Sequence, residues 1–98
     1  MATIVYAPNA LANLERAFAL LAADDSRTAR AAATAIEEAV EILAHHPFVG
    51  RIVEGELREL VISFGRTGYV ALYRYAPVRD QVRILAFRHQ RELGYPDP

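Results

Sequence analysis

The hydrophobic pattern changes period once along the chain. Between Pro8 and His45 apolar residues recur at intervals of three and four; between Leu57 and Phe87 they alternate. Leu11, Leu14, Phe18 and Leu21 form one stripe and predict a first helix. Pro8 suits its first turn, where a missing N–H costs nothing. Asp24-Asp25-Ser26 interrupts the stripe, and Asp25 or Ser26 can cap a second helix. That helix is predicted from about Arg27 to His45, with Ala29, Ala33, Ile36, Val40 and Leu43 on its inner side. Small alanines on both helices favour a close antiparallel hairpin. Pro47 ends the second helix and Gly50 marks a turn.

Thr3–Tyr6, Leu57–Phe64, Tyr69–Tyr75 and Gln81–Phe87 are β-rich runs. Gly65-Arg66-Thr67-Gly68 and Ala76–Asp80 separate the last three at hairpin length, which predicts an antiparallel meander, with Thr3–Tyr6 joining its edge. The expected order is β-α-α-β-β-β: an α+β fold with a helical hairpin on one face of an antiparallel sheet, as one domain over residues 1–98. Tyr69, Tyr73 and Tyr75 fall on one alternation face, opposite Val70, Leu72 and Arg74, and are read as sheet packing.

Composition narrows the chemistry. Apolar residues make up 53% of the 98, enough for a core and too many for intrinsic disorder. Cysteine is absent, which excludes disulfides, thiol catalysis and cysteine-bound metal. No apolar run reaches the ~18 residues of a membrane span, and Met1–Tyr6 lacks the pattern of a secretory signal, so a cytoplasmic protein with no membrane partner is expected. All eleven basic residues are arginines. They are unevenly spread: residues 1–50 carry −3, residues 51–98 carry +2, and the whole carries −1. That balance does not suit a chain that reads DNA sequence by itself.

Three groups of residues are candidates for function. His45-His46 with Glu41 has one-turn spacing that can hold a metal, but no third ligand is near in sequence, and histidine at a helix C-terminus is explained by the helix dipole. No metal and no cofactor are expected. Arg58, Arg74, Arg83 and Arg88 lie on predicted strands; Arg58, Arg74 and Arg88 are expected to share one sheet face as an anion-binding surface, or else to pair with Glu56, Glu59 or Glu92. The segment Arg88–Tyr95 sets His89, Arg91 and Tyr95 directly after the last strand. These three are an acid–base site or, without catalysis, a recognition surface or an anchor for the tail.

The chain resembles the RelE/ParE superfamily of bacterial toxins from type II toxin–antitoxin pairs. The resemblance runs over nearly the whole length. It rests on Tyr6-Ala7-Pro8, His46-Pro47-Phe48-Val49-Gly50, Leu57-Arg58-Glu59-Leu60, Gly68–Tyr75, and Ile84–Glu92 followed by Gly94-Tyr95. It implies a cognate antitoxin as partner, with a C-terminal segment disordered until bound. The groove beside the helical hairpin and the exposed sheet edge are its expected docking places. A homodimer and a toxin–antitoxin hetero-oligomer both stay open.

Two activities occur in that superfamily. RelE-like members are ribosome-dependent mRNA endonucleases, and ParE-like members poison DNA gyrase. Metal-free RNA cleavage needs a base, an acid and cations for the phosphorane charge. The resemblance places those cations where this chain has Val61, Ser63 and Val70, and leaves counterparts only at Arg91 and Tyr95. Loss of one such contact commonly costs on the order of 10²–10³ in rate. The expectation is therefore a non-enzymatic toxin of the ParE and plasmid-stabilisation branch, acting on gyrase, with Arg58, Arg74, Arg88, His89, Arg91 and Tyr95 as its target- or antitoxin-binding residues. The alternatives are an mRNA endonuclease using His89, Arg91 and Tyr95, and a non-toxic interaction module of the same fold.

Overall fold

Asp25 is the joint between the two helices. Its backbone N–H donates to the Leu21 carbonyl at 2.8 Å, ending one helix, while its carboxylate accepts from the Arg27 N–H at 2.9 Å and caps the next. A computed structural model describes residues 1–65 and 67–96. In chain order its elements are β1 (Thr3–Tyr6), α1 (Pro8–Asp24), α2 (Ser26–His45), β2 (Arg51–Glu54), β3 (Leu57–Phe64), β4 (Thr67–Ala76), a short 3₁₀ turn (Pro77–Arg79) and β5 (Gln81–His89). The sheet runs β1-β5-β4-β3-β2, antiparallel except for the parallel pair β1–β5. The helical hairpin lies on one face, as expected of an α+β fold.

Two details depart from the sequence pattern. β2 is an additional strand at the outer edge, where the sequence suggests only a turn; all four of its residues are exposed. Within α1, Leu14, Phe18 and Leu21 pack against the core as predicted, but Leu11 is 51% exposed and the most deeply buried positions are Ala10 and Asn13. α2 keeps its predicted face: Ala32, Ile36, Ala39, Val40 and Leu43 are buried. Arg66, expected in the β3–β4 turn, lies outside the described residues.

The core lies between α2, α1 and the inner face of the sheet, built from Leu43, Ile36, Ile62, Tyr69, Tyr73, Val82, Ile84 and Phe87. Tyr73 is fully buried, and its hydroxyl joins the sheet to the loop after α2. It donates to the Pro47 carbonyl at 2.9 Å and accepts from the Gly50 N–H at 2.8 Å. A Cβ at Gly50 would stand 2.6 Å from that hydroxyl, so the turn must be glycine for packing reasons. The segment His46–Gly50 is thus a structural joint.

β5 carries a bulge. Tyr73 pairs with Ile84 but Leu72 pairs with Ala86, so the inward-facing set shifts from Val82 and Ile84 to Phe87 and His89. Arg88 is thereby turned to the open face, away from the helices. Without the bulge it would point into the core.

Candidate functional site

Glu59 organises the open face. It lies mid-strand on β3, 8% exposed, where the sequence suggests a solvated salt-bridge partner. Its Oε1 accepts from Arg51 Nη2 at 2.8 Å and Arg51 Nε at 3.1 Å. Its Oε2 accepts from the Tyr95 hydroxyl at 2.6 Å and lies 3.7 Å from Arg88 Nη2. Burial alone would raise the Glu59 carboxyl. The hydrogen bonds from Tyr95 and Arg51, with the charges of Arg51 and Arg88, outweigh it and hold the group below the ordinary carboxylate range. The Tyr95 phenol is pushed far above its usual range by burial and then by Glu59, so it remains a proton donor in this bond at neutral pH.

Arg88 is the second centre. Its guanidinium stacks over the Tyr95 ring at 5.4 Å and donates to the carbonyls of His89, Gln90 and Glu92, the last at 3.1 Å. The chain after β5 is thus wrapped round one arginine. The turn is closed by the His89 N–H to Glu92 Oε1 at 2.9 Å and by the Gln90 N–H to the Gly68 carbonyl at 3.0 Å. Asn13 on α1 ties the same region to the helices. Its Oδ1 accepts from the Phe87 N–H, where β1 no longer covers the edge of β5, and its Nδ2 donates to the Pro96 carbonyl at 3.4 Å.

His89, Arg91 and Tyr95 do not converge. His89 pairs in register with Tyr69, whose ring it meets edge-on at 5.5 Å on the helix side of the sheet. The Tyr95 hydroxyl is bound to Glu59 on the open side. Both His89 ring nitrogens are engaged: Nδ1 accepts from the Arg91 N–H at 3.1 Å, and Nε2 bonds to the Thr67 hydroxyl. With Nδ1 accepting, the neutral ring carries its proton on Nε2. Arg91 is exposed, and its guanidinium makes no hydrogen bond or ion pair among the described residues.

The expected arginine face is divided. Arg58 pairs in register with Tyr73 and so lies on the opposite side from Arg74 and Arg88. It donates to the carbonyls of Phe48 at 3.1 Å and Gly50 at 2.9 Å and lies over the Phe48 ring, supporting the loop after α2. Val61, Val70 and Arg88 stand in one row across three strands of the open face. Two apolar side chains therefore border the one arginine there, and that arginine is committed to Glu59 and the tail.

Glu59 and Asn13 are site residues that the sequence pattern does not single out. Each has a signal in hindsight: a carboxylate alternating with Leu57 and Val61, and an amide one turn beyond Ala10 on an inward stripe. Elsewhere, His45 Nε2 and Glu41 Oε1 lie 3.3 Å apart at the exposed end of α2, and no group of three His, Asp or Glu ligands gathers among the described residues. A groove of about 290 Å³ lies between α1 and the tail, walled by Ala17, Leu20, Leu21, Tyr69 and Phe87. No helix among the described residues is long and apolar enough to cross a membrane.

Comparison with known proteins places this architecture. The family model for the ParE toxin of the type II toxin–antitoxin system parDE matches residues 4–94. Toxin RelE3 of Caulobacter vibrioides is 46% identical over 52 residues, a match covering 53% of this chain and 54% of that protein. The aligned part is thus about half of either chain. The match over residues 4–94 takes in both helices, β2 to β5, β1 from its second residue and the turn built on Arg88, and with it the chain belongs to the ParE toxin family, within the ParE/RelE superfamily of type II toxin–antitoxin toxins.

Proposed function

We infer that this toxin arrests bacterial growth by binding and poisoning DNA gyrase, without catalysing a reaction of its own, and that the cognate antitoxin neutralises it. One observation carries the choice: the His89 ring and the Tyr95 hydroxyl lie on opposite sides of the sheet, each already held by protein partners. A nuclease needs its base, acid and cations around one phosphate. Val61 and Val70 beside Arg88 support the same reading. The chain acts in the cytoplasm, where such a target resides. The antitoxin docks an apolar helical segment in the groove beside α1.

The second reading, a ribosome-dependent mRNA endonuclease using His89, Arg91 and Tyr95, is favoured by the Arg91 guanidinium, which makes no hydrogen bond or ion pair among the described residues. Induced expression of the chain alone separates the readings. Growth arrest with filamentation, DNA-damage signalling and intact messenger supports gyrase poisoning. Arrest with rapid messenger loss overturns it. No arrest, with the protein present in the lysate supernatant, leaves an interaction module.

A further inference from the structure

Most of the strand arginines are spent within the fold. Arg51 and Arg88 neutralise Glu59, and Arg58 holds two loop carbonyls. Arg74 on β4 and Arg83 on β5 are different. They stand directly opposite each other in register, and neither makes a hydrogen bond or ion pair among the described residues. Their inward neighbours, Tyr73, Val82 and Ile84, are fully buried, so both guanidinium groups project from the open face. Like charges directly opposite on a sheet repel, with Cβ atoms roughly 5 Å apart. No carboxylate among the described residues forms an ion pair with either arginine.

The surroundings specify what would relieve the repulsion. The row through the pair reads Glu54, Leu57, Arg74, Arg83, Val5 across five strands, with exposed Glu54 at the outer edge beyond Leu57, and Leu72 lies one row away on the same face. Leu57, Leu72 and Val5 are only half-buried. The site therefore calls for two negative charges, one for each guanidinium, mounted on an apolar surface. Residues four apart on a helix have Cβ atoms at about 5–6 Å, and arginine pairs well with planar carboxylates. The hydrated backbone of a nucleic acid supplies charge at suitable points but has nothing for the leucines.

We propose that Arg74 and Arg83 form an acceptor site on the open face for a pair of carboxylates, one helical turn apart, on an amphipathic helix of the antitoxin. The proposal rests on the antitoxin partnership but not on gyrase as target. It places a second contact on the sheet face away from the α1 groove.

The test is a titration of isotopically labelled toxin with an eighteen-residue helix-forming peptide that carries a leucine stripe and two glutamates four apart. A matching peptide has glutamine at both positions. The expected result is chemical-shift change centred on Arg74, Arg83, Leu57 and Leu72, with at least tenfold weaker binding for the glutamine peptide and for the Arg74→Ala/Arg83→Ala variant. The urea midpoint of that variant is expected to equal or exceed the parent's, since a repulsion is removed. Equal binding of the two peptides, undiminished binding by the variant, or tighter occupation of the same residues by a single-stranded oligonucleotide would overturn the proposal. Failure of the gyrase reading would appear in the expression assay with the parent chain and would leave this titration unaffected.

Discussion

Replacing Tyr95 with Phe removes one hydroxyl and leaves the ring over Arg88 in place. The lost bond is the 2.6 Å contact to Glu59 Oε2, from a half-buried phenol to a carboxylate that is 8% exposed. Hydrogen bonds to charged groups contribute roughly 1.5–3 kcal/mol net. Glu59 keeps Arg51 and Arg88, and Tyr95 is only half-buried, so the lower end applies, about 1.5 kcal/mol. For a chain of this size that corresponds to a fall in Tm of roughly 6–12 °C. Urea denaturation of parent, Tyr95→Phe, Glu59→Gln and the double variant forms a cycle that isolates the pair. A coupling of about 1 kcal/mol is expected, with the tail amides from His89 to Glu92 losing exchange protection first. A Tyr95→Phe variant as stable as the parent, or zero coupling with Glu59, would refute the claim that this bond fastens the tail to the open face.

Further expectations follow from the same geometry. Glu59 titrates below the ordinary carboxylate range when folded and near 4.3 when unfolded, so its contribution is complete at higher pH and is lost as pH falls below about 4.3 through the folded value. Urea midpoints measured from pH 6 to pH 3 should drop, and more gently in Glu59→Gln. Tyr73→Phe leaves the buried Gly50 N–H without an acceptor and should cost about 1–3 kcal/mol in chemical denaturation. Gly50→Ala places a Cβ 2.6 Å from the Tyr73 hydroxyl and 2.7 Å from the Glu59 carbonyl, so a loss of about 1–3 kcal/mol or failure to accumulate is expected in expression and thermal melts.

The helical hairpin and the three long strands were legible because each carries a period matched to its burial. β2 was not, because Arg51–Glu54 is exposed throughout and shows no alternation; it exists as a strand through its pairing with β3. Arg58 faces away from Arg74 because the β3–β4 hairpin pairs Phe64 with Thr67, so even-numbered residues of one strand face the same way as odd-numbered residues of the next. The bulge in β5 then reverses that relation between β4 and β5, sending Arg88 to the open face and His89 to the helix side. No residue type in Ile84-Leu85-Ala86 announces a bulge, so the separation of His89 from Tyr95 could not be read from composition or spacing. The tail is built on an arginine wrapped by its own chain and fastened to a buried glutamate on another strand, a relation of distant residues that only the fold brings together.

The proposed action on gyrase, without RNA cleavage, is best examined with purified components. Toxin added to gyrase, supercoiled or relaxed plasmid and ATP is compared with toxin added to a translating extract programmed with one messenger. The expected result is loss of supercoiling with accumulation of cleaved plasmid, and an intact messenger. Unchanged gyrase turnover together with cut messenger, abolished by Arg91→Ala, would contradict it.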